Sequence, residues 1–175
     1  MTRRSEHMLL NGTTVLIRVL TILLLLGGIA TAVAAPLIWW FQPDVAAAFV
    51  RKQPALDPGD VLPALTVLLI LAAVSCVLGV LFLRKLAAIV GTVASGDPFV
   101  ADNADRLTTM GWLGLALLAV RTALGFAVLP LETALDERGA VSFDAGGALL
   151  VLVLFVLSSV FRTGAAMRRE LEETV

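Results

Sequence analysis

A chain of 175 residues with 59 % hydrophobic and 15 % charged residues and a mean hydropathy of +0.95 departs from the roughly 45–50 % apolar and 25 % charged composition of soluble domains. The formal net charge of -1 excludes bulk attraction to nucleic acid or to acidic substrates, so only the placement of the charges informs. A single cysteine, Cys76, excludes an intramolecular disulfide and a multi-cysteine metal site within one chain.

The apolar residues gather in four blocks that are too long for strands and nearly free of charge. The first, Val19 to Phe41, lies between Arg18 and Pro43-Asp44. At about 1.5 Å per residue it is long enough for a hydrocarbon core about 30 Å thick. Its basic lead and Ala32-Val33-Ala34 imitate a secretory signal with a cleavage site. Apolar sequence runs on through Trp40, however, so the block reads as an anchor, with Gly27-Gly28 and Pro36 as candidate breaks in its helix. The loop from Gln42 to Asp60 contains Pro43, Pro54 and Pro58 and a short apolar stretch, Val45 to Val50, suited to the interface.

The second block, Val61 to Leu83, ends at Arg84-Lys85. Beyond it Leu86, Ile89, Val90 and Val93 keep the i, i+3, i+4, i+7 spacing of one helix face. The helix is therefore expected to continue past the bilayer until Ser95-Gly96-Asp97-Pro98-Phe99 stops it, Gly ending helices readily and Pro98 disfavouring helical geometry before it. Asp102 or Asn103 then caps a new helix, which makes a helical hairpin. The third block, from about Met110 to Leu131, is uncharged except for Arg121. The fourth, Ala145 to Phe161, starts at Asp144 and ends at Arg162, and its helix should run on toward Glu173. There Arg168 and Arg169 can pair with Glu172 and Glu173 at i, i+4.

These elements define an all-α fold: an integral membrane four-helix bundle with helical cytoplasmic extensions. The expected organisation is a single membrane domain over 1–175, with spans at about 19–41, 61–83, 110–131 and 145–161, a cytoplasmic loop at 84–109 and a cytoplasmic tail at 162–175. Basic residues are retained in the cytoplasm. With the N-terminus inside, Arg3, Arg4, Arg18, Arg84, Lys85, Arg106, Arg162, Arg168 and Arg169 are cytoplasmic, and only Arg51, Lys52 and Arg138 are outside. Trp39 and Trp40 then fall in the outer aromatic belt and Trp112 in the inner one. The chain is expected in a bacterial plasma (inner) membrane, with both termini cytoplasmic.

Catalysis needs groups of suitable acidity within hydrogen-bond reach of one another. His7 is the only histidine, tyrosine is absent and no acid lies within a span, so no triad, dyad or metal cluster assembles. The expectation is no enzyme, no cofactor and no metal. Cys76, beside Ser75, reads as a small packing residue. Arg121 is the exception to membrane chemistry, since insertion scales charge about 2.5–3.5 kcal/mol for a central arginine. Its candidate partners are the hydroxyls of Ser75, Ser158 and Ser159, backbone carbonyls, an outer carboxylate such as Glu132, or a group from another subunit of a homo-oligomer. Both a structural and a ligand-binding role are open to it.

At the loop and tail the sequence resembles the bacterial family of four-span membrane proteins catalogued as domain of unknown function 2975. Ser95-Gly96-Asp97-Pro98-Phe99, then Asn103, Arg106, Leu107 and Gly111, and finally Val160-Phe161-Arg162-Thr163-Gly164 with Thr174-Val175, stand at corresponding places. Glu172-Glu173 is more acidic than that pattern. The resemblance implies an integral membrane protein of unestablished activity, often encoded beside a very small helix-turn-helix protein. It thereby implies a component that tethers or modulates such a DNA-binding partner without itself binding nucleic acid. The expected docking surface joins Ser95, Gly96, Asp97, Pro98 and Phe99 to the tail. Phe99, Leu107 and Leu171 would supply apolar contacts. Arg162 would lie at the boundary, and Glu170, Glu172 and Glu173 would face a partner whose phosphate-contacting side is basic. An immunity or small-solute transport component and a structural membrane subunit are the alternatives.

Overall fold

The computed structural model describes residues 2–52, 58–135 and 144–173, with side chains described over 12–48, 51, 59, 61–127 and 144–170. The described residues form five helices: α1 (Thr2–Trp40), α2 (Gln42–Lys52), α3 (Pro58–Ala94), α4 (Ala101–Leu135) and α5 (Ala145–Glu173). Four stretches, Gly12–Trp40, Val61–Ala94, Ala101–Ala127 and Ala145–Glu170, are long and apolar enough to cross a membrane. No more than 17 % of the most apolar window in any of them is buried. Leucine, isoleucine and valine side chains thus point outward along their length, an arrangement whose solvent is lipid and not water. The chain is an all-helical, multi-pass membrane protein.

The first helix runs without interruption through Gly27-Gly28 and Pro36, the candidate breaks. A helix in hydrocarbon must satisfy its backbone internally, and the Thr31 hydroxyl reinforces this stretch by bonding to Gly27 O at 3.1 Å and Gly28 O at 2.9 Å. The two glycines serve close approach instead, as described below. At the far end Val45 N donates to Phe41 O, so α2 follows α1 after a single non-helical residue.

The chain divides into two compact units. One comprises Met1–Leu23, Leu78–Ala116 and Ala145–Val175. Its core is Leu107, Met110 and Leu154, against which Phe82, Leu86, Ile89 and Phe161 pack. Leu86 and Ile89 therefore use the face that the i, i+3 spacing marks, whereas Val93 of the same series is exposed. Helices α4 and α5 meet closely in this unit because Gly111 and Gly114 have no side chain. A methyl group at Gly111 would lie 2.8 Å from the Phe155 ring, and one at Gly114 would lie 2.9 Å from Val151. Between these contacts and the loop, the Thr108 and Ser158 hydroxyls meet at 2.7 Å. Since Thr108 donates to Ala104 O, Ser158 is the donor to Thr108.

The other unit comprises Leu24–Val77 and Leu117–Asp144. Here Gly27 and Gly28 face Cys76: added methyl groups would lie 3.5 Å from its Sγ and 3.3 Å from its Cβ. Small residues at a helix crossing are the usual membrane device for bringing backbones together, and Cys76 acts as one of them. Trp39 Nε1 donates to Thr66 Oγ1 at 3.0 Å, tying the end of α1 to the start of α3.

Candidate functional site

Of the residues singled out in the loop and tail, Asp97 and Phe99 of the α3–α4 turn are brought against α5. Helix α3 ends at Ala94 and the turn closes it with two backbone bonds, Gly96 N to Val93 O and Asp97 N to Thr92 O, each 3.1 Å. This is the paired closure of a Schellman end, which needs a left-handed residue, and Gly96 supplies it at φ +89°. The 95–99 stop thus works through Gly96 as well as through Pro98.

Helix α4 begins at Ala101, one residue before the earliest start expected, and Asn103 is not its cap. Asn103 is fully buried and turns back toward α3. Its Nδ2 donates to Thr92 Oγ1 at 2.7 Å and to Pro98 O at 2.9 Å, while its Oδ1 accepts from Arg106 Nη1 at 2.8 Å. Arg106 also approaches Ala88 O at 3.5 Å and Asp102 at 3.6 Å. Every polar atom of the amide therefore has a partner, as an enclosed polar group requires.

From α5, Gly164 receives Phe99: a methyl group there would stand 3.0 Å from the ring. The Phe99 ring also lies 5.3 Å from that of Phe161, tilted by 37°. Arg168 forms an ion pair with Asp97, and Arg162 lies 3.4 Å from Asp105. Asp97 and Phe99 from the turn are thus brought onto α5, and Ser95, Gly96 and Pro98 shape that turn: the Ser95 hydroxyl donates to Thr92 O at 2.8 Å, and Pro98 O accepts from Asn103.

Leu107 corrects an expectation. At 4 % exposure it belongs to the core and offers nothing to a partner. Glu170 is exposed on α5, while the side chains of Leu171, Glu172 and Glu173 lie outside the described residues, as does Glu132. Arg121 finds a carboxylate next to a span, one of the kinds of partner expected for it. Its Nη1 is 3.0 Å from Asp144 Oδ2, with the two side chains 60 % and 28 % exposed. Two of the serines named as its candidates are engaged elsewhere: the Ser75 hydroxyl donates to Leu71 O and that of Ser158 to Thr108. Asp144 immediately precedes α5 in the chain.

Residues 39–175 match the family described as Protein of unknown function (DUF2975). The chain belongs to DUF2975. No curated protein and no solved structure matches it. The DUF2975 positions recognisable in the sequence acquire physical roles in this fold: Gly96 reverses the chain, Asn103 and Arg106 hold the turn, and Gly111 and Gly164 admit Phe155 and Phe99. Among the described residues of this DUF2975 protein no group of three or more His, Cys, Asp or Glu side chains is placed to hold a metal ion.

Two features of the site escaped sequence reasoning. Thr92 looks like an ordinary helix residue, and its pairing with Asn103 exists only because the hairpin closes. The Asp97–Arg168 pair joins residues far apart in the chain, whereas helical spacing had suggested Glu172 as a partner of Arg168.

Proposed function

We propose that this DUF2975 protein is a non-enzymatic regulatory or adaptor component of a bacterial plasma (inner) membrane that tethers or modulates a small helix-turn-helix regulator. The observation that carries this reading is the fastening of the 95–99 turn onto α5 by Asp97–Arg168 and by Phe99 on Phe161 and Gly164. It leaves Phe99 43 % and Met167 56 % exposed, beside a groove of about 420 Å³ that also borders Val160 and Thr163. An apolar surface with the acid Glu170 on the same helix suits a small protein with a basic DNA-binding face. The nine-to-three distribution of basic residues supports cytoplasmic termini and a cytoplasmic position for this surface.

The test is photo-crosslinking in intact cells from p-benzoylphenylalanine placed at position 99 or 167. Adducts with a small soluble DNA-binding protein, released to the cytosol by Phe99→Asp or by deletion of residues 168–175, support the reading. Adducts with lipid alone, or an unchanged membrane fraction of that protein, overturn it. Topology is read separately in a Cys76→Ser background. A cysteine at 136 should label from outside, and cysteines at 97 and 170 only after permeabilisation; the reverse pattern inverts the orientation.

A further inference from the structure

Arg169 is flanked by two arginine–aspartate pairs, Arg168 with Asp97 and Arg162 with Asp105, and makes no ion pair of its own among the described residues. It borders two hollows between the start of α4 and the end of α5, of about 190 and 220 Å³. In the larger, Ala101, Ala104, Ala165 and Ala166 form a floor between Arg162 and Arg169. Small side chains keep the hollow open, and two guanidinium groups border it. Asp105 also lines it, but at 3.4 Å and with both side chains well exposed its pair with Arg162 is a weak one. Arg162 is therefore able to turn to a stronger acceptor, and the balance of the hollow is positive.

Depth selects the acceptor. The apolar segment of α5 at 145–161 is about 25 Å long at 1.5 Å per residue, so Arg162 stands where hydrocarbon gives way to headgroups. Arg169 is about two turns farther along, but helical side chains lean toward the helix N-terminus, which brings it back to the hollow that Arg162 lines. Guanidinium groups bind phosphate oxygens in a fork of two N–H donors. Basic pockets between membrane helices at headgroup depth are suited to anionic lipids.

We infer that the hollow between α4 and α5 binds the phosphodiester headgroup of an anionic phospholipid from the leaflet on its side, held by Arg162 and Arg169. The hollow shares no lining residue with the Phe99–Met167 groove, so Phe99→Asp tests the adaptor reading without altering this site. Its occupant would tie the α4–α5 pair to the charge of one leaflet.

The experiment is native mass spectrometry of the full chain with phosphatidylglycerol, phosphatidylcholine or inorganic phosphate. The wild type should retain phosphatidylglycerol at least tenfold better than phosphatidylcholine. Arg162→Gln with Arg169→Gln should abolish that preference, as should Ala166→Leu, which fills the hollow without changing charge. Arg84→Gln, an exposed cation outside the hollow, should leave it intact. Equal retention of the two lipids by wild type, preserved preference in the double variant or in Ala166→Leu, or displacement of the lipid by inorganic phosphate at equal concentration would each overturn the assignment. Thermal unfolding of each variant in detergent establishes that it is folded before binding is scored.

Discussion

Asn103 donates to Thr92 Oγ1 at 2.7 Å while the Thr92 proton goes to Ile89 O at 2.8 Å. The last turn of α3 and the first turns of α4 are thus joined through one buried amide. Its removal in Asn103→Ala takes donors from Thr92 and Pro98 and an acceptor from Arg106. With buried groups left unpaired at about 1–3 kcal/mol each, the expected loss is about 2–4 kcal/mol. Thermal unfolding in detergent measures it, and amide exchange over 92–103 should accelerate while membrane insertion stays normal. Exchange that stays as slow as in the wild type would mean that the turn holds without Asn103.

At Gly111 the Phe155 ring leaves no room for a methyl group. Gly111→Ala forces the Phe155 ring to move and is expected to cost about 1–3 kcal/mol by overpacking. Phe155→Leu should recover part of that loss in the double variant, giving a non-additive cycle. Strict additivity would place the two residues out of contact.

Gly28 and Cys76 offer a geometric check on the α1–α3 crossing. A cysteine at position 28 would place its Cβ about 3.3 Å from that of Cys76, near the separation of about 3.5–4.5 Å seen in disulfides. Gly28→Cys is therefore expected to crosslink to Cys76 within one chain under mild oxidation, read as a peptide pair by mass spectrometry. Its failure to form, with both thiols reactive, would exclude this crossing.

Arg121 and Asp144 form a pair with most of the arginine exposed. Such pairs contribute about 0–1 kcal/mol, so Arg121→Leu should insert as the wild type does and lose less than about 1 kcal/mol in unfolding. A central arginine would behave differently, since its replacement would favour insertion of the third span by about 2.5–3.5 kcal/mol. Glycosylation-based insertion measurements on that span separate the two cases.

Hydropathy, loop charge and turn chemistry are properties of short stretches, and they made the four apolar helices, the extension of α3 past Leu83 and the stop at 95–99 legible without a structure. The family could likewise be recognised from residues such as Gly96, Asn103 and Gly164. Gly96 could be read as a helix stop, but the jobs of Asn103 and Gly164 were not legible, and Leu107 shows why. In a soluble protein the apolar period of a helix reveals which face is buried. In a membrane the lipid-facing and protein-facing sides are both apolar, and that contrast is lost. Leu107 could not be told from an exposed leucine, nor Gly27-Gly28 from a break. Which faces pack is decided by where a ring finds a glycine, as Phe155 finds Gly111 and Phe99 finds Gly164. It is decided also by which polar group finds a mate, as Asn103 finds Thr92 and Arg121 finds Asp144. Those are relations between helices, and they come into being only when the helices lie side by side.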